Sequence, residues 1–368
     1  MNDTTTNAAA ATTTVAPAQF DQEKAHQFVG KVVVDCAAAV SLTLAVIGDQ
    51  LGLYRALADG GPLTSTELAE RAHVSERYTR EWLINQASAG YLDYDPQAAR
   101  YSLPAERTVA LLDQDSPFYV GGALMIALAM TKAEPRIREN FLSGAGMSWG
   151  EHDPYMWEGC ERLFRPGYLA NLVQSWIPAL DGVQEKLERG AKVADIGCGL
   201  GASSIILAKA YPNSHFYGFD AHPASIERAT ADAQAAGVAD RVTFAVGTGT
   251  NYPGMGYDLV AYFDCLHDMG DPAESIHHTR SALAPDGTVL LVEPAAGEHV
   301  EENFNPVGQF YSGASVLVCT PNALATGSEA LGTVATDDAL SAVIHQGGLS
   351  RFRRVLTTPL NRLFEARI

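Results

Sequence analysis

Apolar positions recur along this chain with two different periods, and the change between them divides it. Val32 to Gly48 is an almost unbroken apolar run with one charge, Asp35, inside it. It is shorter than the ~20 residues of a typical membrane span, so it reads as a helix buried in the core or at a subunit interface. The helical pattern ends near Asp59, and Gly60-Gly61-Pro62 breaks the chain. Thr64-x-x-Glu67 then has the spacing of a capping box, ahead of Leu68, Ala69 and Ala72. A second helix is predicted from Glu76 to about Ala89, stopped by Gly90. Tyr91–Tyr94 and Arg100–Leu103 flank Asp95-Pro96 as a short hairpin. Helix, turn, helix and hairpin together describe a winged helix.

Beyond residue 166 the pattern changes to short apolar runs alternating with helical segments, the mark of a doubly wound α/β sheet. Strands are expected at Lys192–Ile196, His215–Phe219, Val242–Val246, Leu259–Phe263 and Thr288–Glu293, with helices at Ser203–Tyr211 and Ala224–Ala236 between them. Arg351–Leu356 and Arg362–Ala366, around Thr357-Thr358-Pro359, form a closing hairpin, which gives the sheet one antiparallel strand. The expected organisation is a disordered tail (1–20), a winged-helix domain (21–115), a helical linker and lid (116–166) and an α/β domain (167–368). In the linker, Tyr119–Met130 is a short apolar helix and Trp149–Trp157 is rich in aromatics. Packing between domains and a pocket wall explain that composition equally well.

Composition narrows the function. Of 368 residues, 47% are hydrophobic and 18% charged, so a large core is available and global disorder is excluded. The formal charge of -18 opposes phosphate backbones. Residues 21–115 alone carry 8 basic and 14 acidic side chains, and a DNA reader needs the opposite balance. No nucleic-acid partner is therefore expected, and the winged helix reads as a scaffold or dimerisation unit. Five cysteines without a C-x-x-C pair fit a reducing cytoplasm, and residues 1–19 lack the basic and apolar regions of a signal peptide. A cytoplasmic protein with no membrane partner is the expectation.

The candidate chemistry begins at Val193-Ala194-Asp195-Ile196-Gly197-Cys198-Gly199-Leu200-Gly201, a buried strand entering a turn with glycine at alternate positions. The next strand ends at Asp220, where a carboxylate can hold both hydroxyls of a ribose. Gly197-x-Gly199-x-x-Ala202 also satisfies a loose dinucleotide fingerprint. Asp195 weighs against that reading, because a carboxylate beside a pyrophosphate is costly, whereas a ligand carrying ammonium and sulfonium groups welcomes it.

Asp195-x-Gly197-x-Gly199-x-Gly201, Asp220 and Leu283-Ala284-Pro285-Asp286-Gly287-Thr288 resemble the class I S-adenosylmethionine-dependent methyltransferases. With the winged helix in front, nearly everything after residue 20 resembles two-domain small-molecule methyltransferases. Phe263 to Pro272 and the Thr358-Pro359-Leu360-Asn361 ending are similar to an actinobacterial group of them. The resemblance implies an α/β fold with a Rossmann-like, mostly parallel seven-stranded sheet, S-adenosylmethionine as cofactor, a small-molecule acceptor and a homodimer formed through the N-terminal domain. It implies cofactor contacts from Asp195, Gly197, Gly199, Gly201 and Asp220, with Thr248 standing where relatives place an adenine-binding Asp. Asp264 is expected near the cofactor.

His267, following the fourth strand of the domain, lies where open α/β sheets bind ligands and has the pKa range of a general base. The implied reaction is O-methylation with His267 as base. Methylation at nitrogen or carbon, with His267 only orienting the acceptor, is one rival, and a cofactor-sensing winged-helix regulator is another. Trp149, His152, Tyr155, Trp157, Phe310 and Tyr311 are candidates for the acceptor pocket, and no metal is expected.

Overall fold

The computed structural model describes residues 20–327 and 329–368, so the expected tail lies outside the described residues apart from Phe20. The first helix, α1 (Gln22–Gln50), starts at Asp21, whose side chain accepts the Lys24 backbone N–H. It is followed by α2 (Leu53–Gly60), α3 (Ser65–Ala72), α4 (Glu76–Ser88) and a hairpin of β1 (Asp93–Asp95) with β2 (Arg100–Ser102). This is the winged helix, and the Thr64–Glu67 capping box is formed. Its core centres on buried Trp82, which donates its indole N–H to the Leu44 carbonyl at 2.8 Å and meets Tyr54 edge-on at 5.1 Å. On α4, Arg77 pairs with Glu81 and Arg80 with Glu76, so the helix that would read DNA neutralises its own basic charge.

Val32–Gly48, expected in the core or at a subunit interface, is buried within this chain over its second half only. Ser41, Ala45, Val46 and Gly48 are buried, whereas Val33 is 61% exposed, Val34 66% and Val40 58%. By length and hydropathy α1 could cross a bilayer. Its exposed half, however, carries the Lys31–Asp35 ion pair, and its other half is seated in the winged-helix core.

Helices α5 (Ala105–Leu112), α6 (Gly121–Lys132), α7 (Glu134–Ser143) and α8 (Tyr155–Asn171) join the two ends of the molecule. α6 and α8 approach so closely that a Cβ on Gly122 would lie 2.5 Å from the Gly159 carbonyl oxygen. α8 runs unbroken across residues 166 and 167, so the boundary expected there falls inside a helix, with Pro166 on its buried side.

Seven strands form the sheet: β3 (Lys192–Ile196), β4 (His215–Asp220), β5 (Val242–Val246), β6 (Tyr257–Phe263), β7 (Leu283–Pro294), β8 (Arg351–Thr357) and β9 (Asn361–Arg367), in the order β5-β4-β3-β6-β7-β9-β8. Only β9 breaks the parallel run against β7, with β8 antiparallel beyond it. Alternation along the strands feeds two cores. Val193, Leu259, Ala261, Leu290 and Val292 face Leu172, Trp176 and Leu207, while Ala194, Val260, Tyr262, Val289 and Leu291 face Ile276, Leu340 and Ile344. Covering both faces are α9 (Val183–Arg189), α10 (Ala202–Ala210), α11 (Pro223–Ala235), α12 (Pro272–Ala282) and α15 (Asp337–Gln346), while α13 (Pro306–Ala314) and α14 (Thr320–Thr326) run together through a π-helical turn at Ser315–Cys319.

Trp82→Ala should destabilise the winged helix by about 3–5 kcal/mol, as removal of a buried aromatic does. Calorimetry would register this as an earlier unfolding transition, and an unchanged thermogram would show that Trp82 does not hold α1 to α4.

Candidate active site

The sheet begins at its centre: the chain lays down β3, then β4 and β5 to one side, and returns to place β6 on the other side of β3. At such a switch point the two connecting loops diverge and leave a crevice at the carboxyl ends of the strands. The loop after β3 carries the glycines. Gly199 has φ +52, and a Cβ there would meet no atom within 4 Å, so the backbone borders open space. Its N–H donates to Asp220 Oδ2 at 2.9 Å, and the His222 N–H donates to Asp220 Oδ1 at 2.8 Å. Burial nonetheless pushes the Asp220 pKa upward.

The crevice opens into a cavity of about 790 Å³. Gly197, Gly199, Asp220, Thr248, Asp264, His267, Phe310 and Tyr311 line it, together with Trp149 and Trp157 from the helical segment. His267, in a short 3-10 turn after β6, is 3% exposed. Its Nδ1 lies 2.6 Å from Glu293 Oε2, and Glu293, near the end of β7, is 1% exposed. Burial works to lower the His267 pKa, but the Glu293 carboxylate and the neighbouring Cys319 outweigh it and leave the imidazole well above its usual value. Its backbone carbonyl accepts the Gly332 N–H at 3.0 Å, which fixes the turn. Beside it, burial pushes Asp268 up to about 7.

Asp264 has φ +51, a left-handed conformation rarely adopted by non-glycine residues. Its N–H donates to the Val292 carbonyl at 2.8 Å, and its Oδ1 accepts from Asn361 Nδ2 at 2.7 Å. Its Oδ2 is buried without a partner.

Several expected site residues are placed elsewhere. Asp195 lies behind the glycine loop and off the cavity wall. Its Oδ2 accepts the Ser203 hydroxyl at 2.5 Å and the Ser204 hydroxyl at 2.8 Å, which fixes the first turn of α10, and burial raises its pKa to about 6. Gly201 also stands off the wall, packed so that a Cβ would lie 2.4 Å from the Phe244 ring. Of the aromatic group, Trp149, Trp157, Phe310 and Tyr311 line the cavity, but His152 and Tyr155 do not. His152 is buried with both ring nitrogens unpartnered, and Tyr155 faces Lys132, whose ammonium stands 4.5 Å from the ring centre. Thr248 is on the wall but exposed, its hydroxyl 3.1 Å from that of Thr250.

Glu293, Asn361 and Cys319 were not anticipated. Glu293 left a trace in the sequence as the one charge closing the apolar run Thr288–Glu293, at the end of the sheet that binds ligands. Asn361 was visible only as the end of the Thr358-Pro359-Leu360-Asn361 motif, with nothing to mark its partner 97 residues away. Among the described residues no group of three or more His, Cys, Asp or Glu side chains could hold a metal ion.

Residues 187–338 match the family model "Methyltransferase domain", and residues 38–112 match "Rv2258c-like winged HTH domain". The solved mitomycin 7-O-methyltransferase MmcR superposes with a TM-score of 0.72 at 20% identity, over 94% of this chain and 99% of that one. Human N-acetylserotonin methyltransferase, solved with S-adenosylmethionine, gives a TM-score of 0.68 at 17% identity, over 96% and 99%. A probable tocopherol O-methyltransferase of Oryza sativa subsp. japonica is 32% identical over 31% of this chain and 32% of its own length. The 27-O-demethylrifamycin SV methyltransferase of Amycolatopsis mediterranei is 31% identical over 33% and 48%. The chain thus spans only about a third to a half of the curated relatives it matches. The domain match and the fold agree: residues 187–338 carry a methyltransferase domain, and the chain as a whole has the fold of solved S-adenosylmethionine-dependent methyltransferases. More particularly, it couples that domain to an N-terminal winged helix of the Rv2258c-like type.

The cofactor of this class is S-adenosylmethionine, and the residues present fit it. Gly199 leaves its Cβ position open beside the loop, Asp220 stands at the end of β4, and the wall acids suit a cationic ligand better than a pyrophosphate. Gly197, Gly199 and Asp220 would hold it.

S-adenosylhomocysteine at a hundred times its dissociation constant should stabilise the protein by roughly 2.7 kcal/mol, and NAD should not. Asp220→Ala, which also frees the Gly199 and His222 N–H groups, should abolish the shift in thermal melting.

Proposed function

We propose that the protein methylates a hydroxyl of a small-molecule acceptor, with His267 as general base and Glu293 as its positioning partner. The observation that carries this reading is the buried His267–Glu293 contact of 2.6 Å on the wall of the cavity that also borders the glycine loop. S-adenosylmethionine, when bound, supplies the electrophilic methyl carbon. A hydroxyl attacking that carbon must lose its proton as the bond forms. With Nδ1–H donated to Glu293, the neutral ring leaves Nε2 free to take that proton, and the Glu293 charge stabilises the imidazolium that results. The aromatic and aliphatic walls exclude water, which would otherwise compete for the base and loosen its alignment.

The sign of the pH dependence follows. His267 works as a base only when deprotonated, and its pKa lies above the usual imidazole value. Turnover should therefore climb with pH along a limb centred above about 6.5. Glu293→Gln removes the charge that raises the pKa, so the limb should move to lower pH while the plateau falls. His267→Ala should lower kcat by about 10²–10⁴-fold with S-adenosylhomocysteine affinity retained. Near-normal turnover in that variant would instead favour a nitrogen or carbon acceptor that needs no proton abstraction.

We further infer that two copies associate through α1. Phe28, Val29, Val33, Val34 and Val40 stand exposed on that helix, an apolar face that a second copy would cover by symmetry. Val33→Asp together with Val40→Asp should convert a dimer to a monomer in analytical ultracentrifugation. A wild-type chain that sediments as a monomer would refute the inference.

A further inference from the structure

The cavity reaches the surface beside the turn that follows β4. Asp220, Ala221, His222 and Pro223 line it there, and Trp149, Gly150 and Trp157 of the helical segment line it too. Ala221, Pro223 and Gly150 are exposed to solvent while lining the cavity, and Trp157 and His222 are half-buried. This stretch is therefore a mouth and not an interior wall. Across it the Trp157 and His222 rings meet with their centroids 4.7 Å apart and their planes at 48°. Gly150 abuts the same imidazole, since a Cβ there would lie 3.2 Å from His222 Cδ2.

The two rings are held differently. His222 is fixed by its own turn: its N–H donates to Asp220 Oδ1 at 2.8 Å, and its Nδ1 lies 2.9 Å from the Ser225 hydroxyl in the first turn of α11. Trp157 stands in the first turn of α8, and the backbone around it is pinned on both sides. Just beyond it Gly159 packs on α6, where a Cβ would lie 3.0 Å from the Gly122 carbonyl oxygen. Before it, Asp153 pairs with Lys132 at 2.7 Å, and the Trp149 N–H donates to Asn322 Oδ1 at 2.9 Å. With both backbones held, the contact opens by rotation of the Trp157 side chain. Such rotations are fast in half-exposed residues, so passage depends on the fraction of time the rings stand apart.

We propose that Trp157 and His222 form a side-chain gate through which S-adenosylmethionine enters and S-adenosylhomocysteine leaves. The inference rests on the methyltransferase reading and adds to it the route of cofactor exchange. Asp220, the carboxylate assigned to the cofactor, accepts the His222 N–H, so gate and cofactor site share one turn. A gate acts differently from a binding contact. Its closed state is held by the partner ring and not by the ligand, so it scales entry and exit by one factor and leaves affinity alone. A ring pair of this kind favours the closed state by roughly tenfold.

The test times the binding and release of S-adenosylhomocysteine by the full chain, using surface plasmon resonance. Trp157→Ala should raise the association and dissociation rate constants together by about tenfold, with Kd unchanged within about threefold. His222→Ala should do the same. The double variant should be no faster than the faster single variant, because one contact is lost in all three. His222→Phe keeps a ring opposite Trp157 and should stay within about threefold of the wild type, which separates the ring contact from damage to the turn. Unchanged rates in both alanine variants would overturn the proposal, as would His222→Phe exchanging as fast as His222→Ala. A dissociation rate that rises alone, with weakened affinity, would make the rings cofactor contacts and overturn it as well. Failure of the wild-type chain to bind S-adenosylhomocysteine would instead remove the underlying methyltransferase reading.

Discussion

Strands β3 and β6 are hydrogen-bonded neighbours, yet the chain leaves them toward opposite edges of the sheet. That single topological constraint creates the crevice, and the groups assigned to chemistry are arranged around it. The glycine loop leaves β3, and the Asp264–Asp268 turn leaves β6 in the adjacent position. The next strand out, β7, delivers Glu293 to His267, and β9 delivers Asn361 to Asp264. Each side chain is thus placed by the end of a strand whose register is fixed by two buried faces. A one-residue slip in any of these strands would turn its apolar set to the wrong core, so the register protects the geometry of the site.

Burial gives these groups their character. Asp195, Asp220, Asp264 and Asp268 all have raised pKa values, with loss of solvation the largest cause in each. His267 escapes the opposite fate, a depressed pKa, because Glu293 and Cys319 stand against it. The same low-polarity surroundings that strengthen one hydrogen bond make an unmatched charge expensive.

Much of this was legible in the sequence. The strand Lys192–Ile196 was read to the residue because apolar side chains on both faces and a glycine turn bound it sharply. His267 was expected at the carboxyl end of a strand from strand order and the family pattern, and it lines the cavity there. What could not be read were features created by distant contacts. Asp195 looked like a cofactor ligand because sequence gives proximity to the glycines but not direction, and its carboxylate turns back to Ser203 and Ser204. His152 and Tyr155 looked like pocket residues for want of any signal as to which side of the segment faces inward. The exposure of the first half of α1 was equally hidden, since an apolar run looks the same whether its own chain or another covers it.

Helix α8 sets a limit on how this protein can be taken apart. It packs on α6 through the Gly122–Gly159 contact, ties to α1 through Arg162 and Asp49 at 2.8 Å, and supplies Trp157, Cys160, Glu161 and Phe164 to the cavity wall. The N-terminal half is accordingly no detachable module. A chimera that grafted only the sheet domain onto a foreign winged helix would inherit the glycine loop and His267, but would exchange the part of the cavity wall that α8 supplies. In a lineage built from this plan, new substrates can arise by drift in the helices that join the halves, while the chemistry beneath them stays fixed.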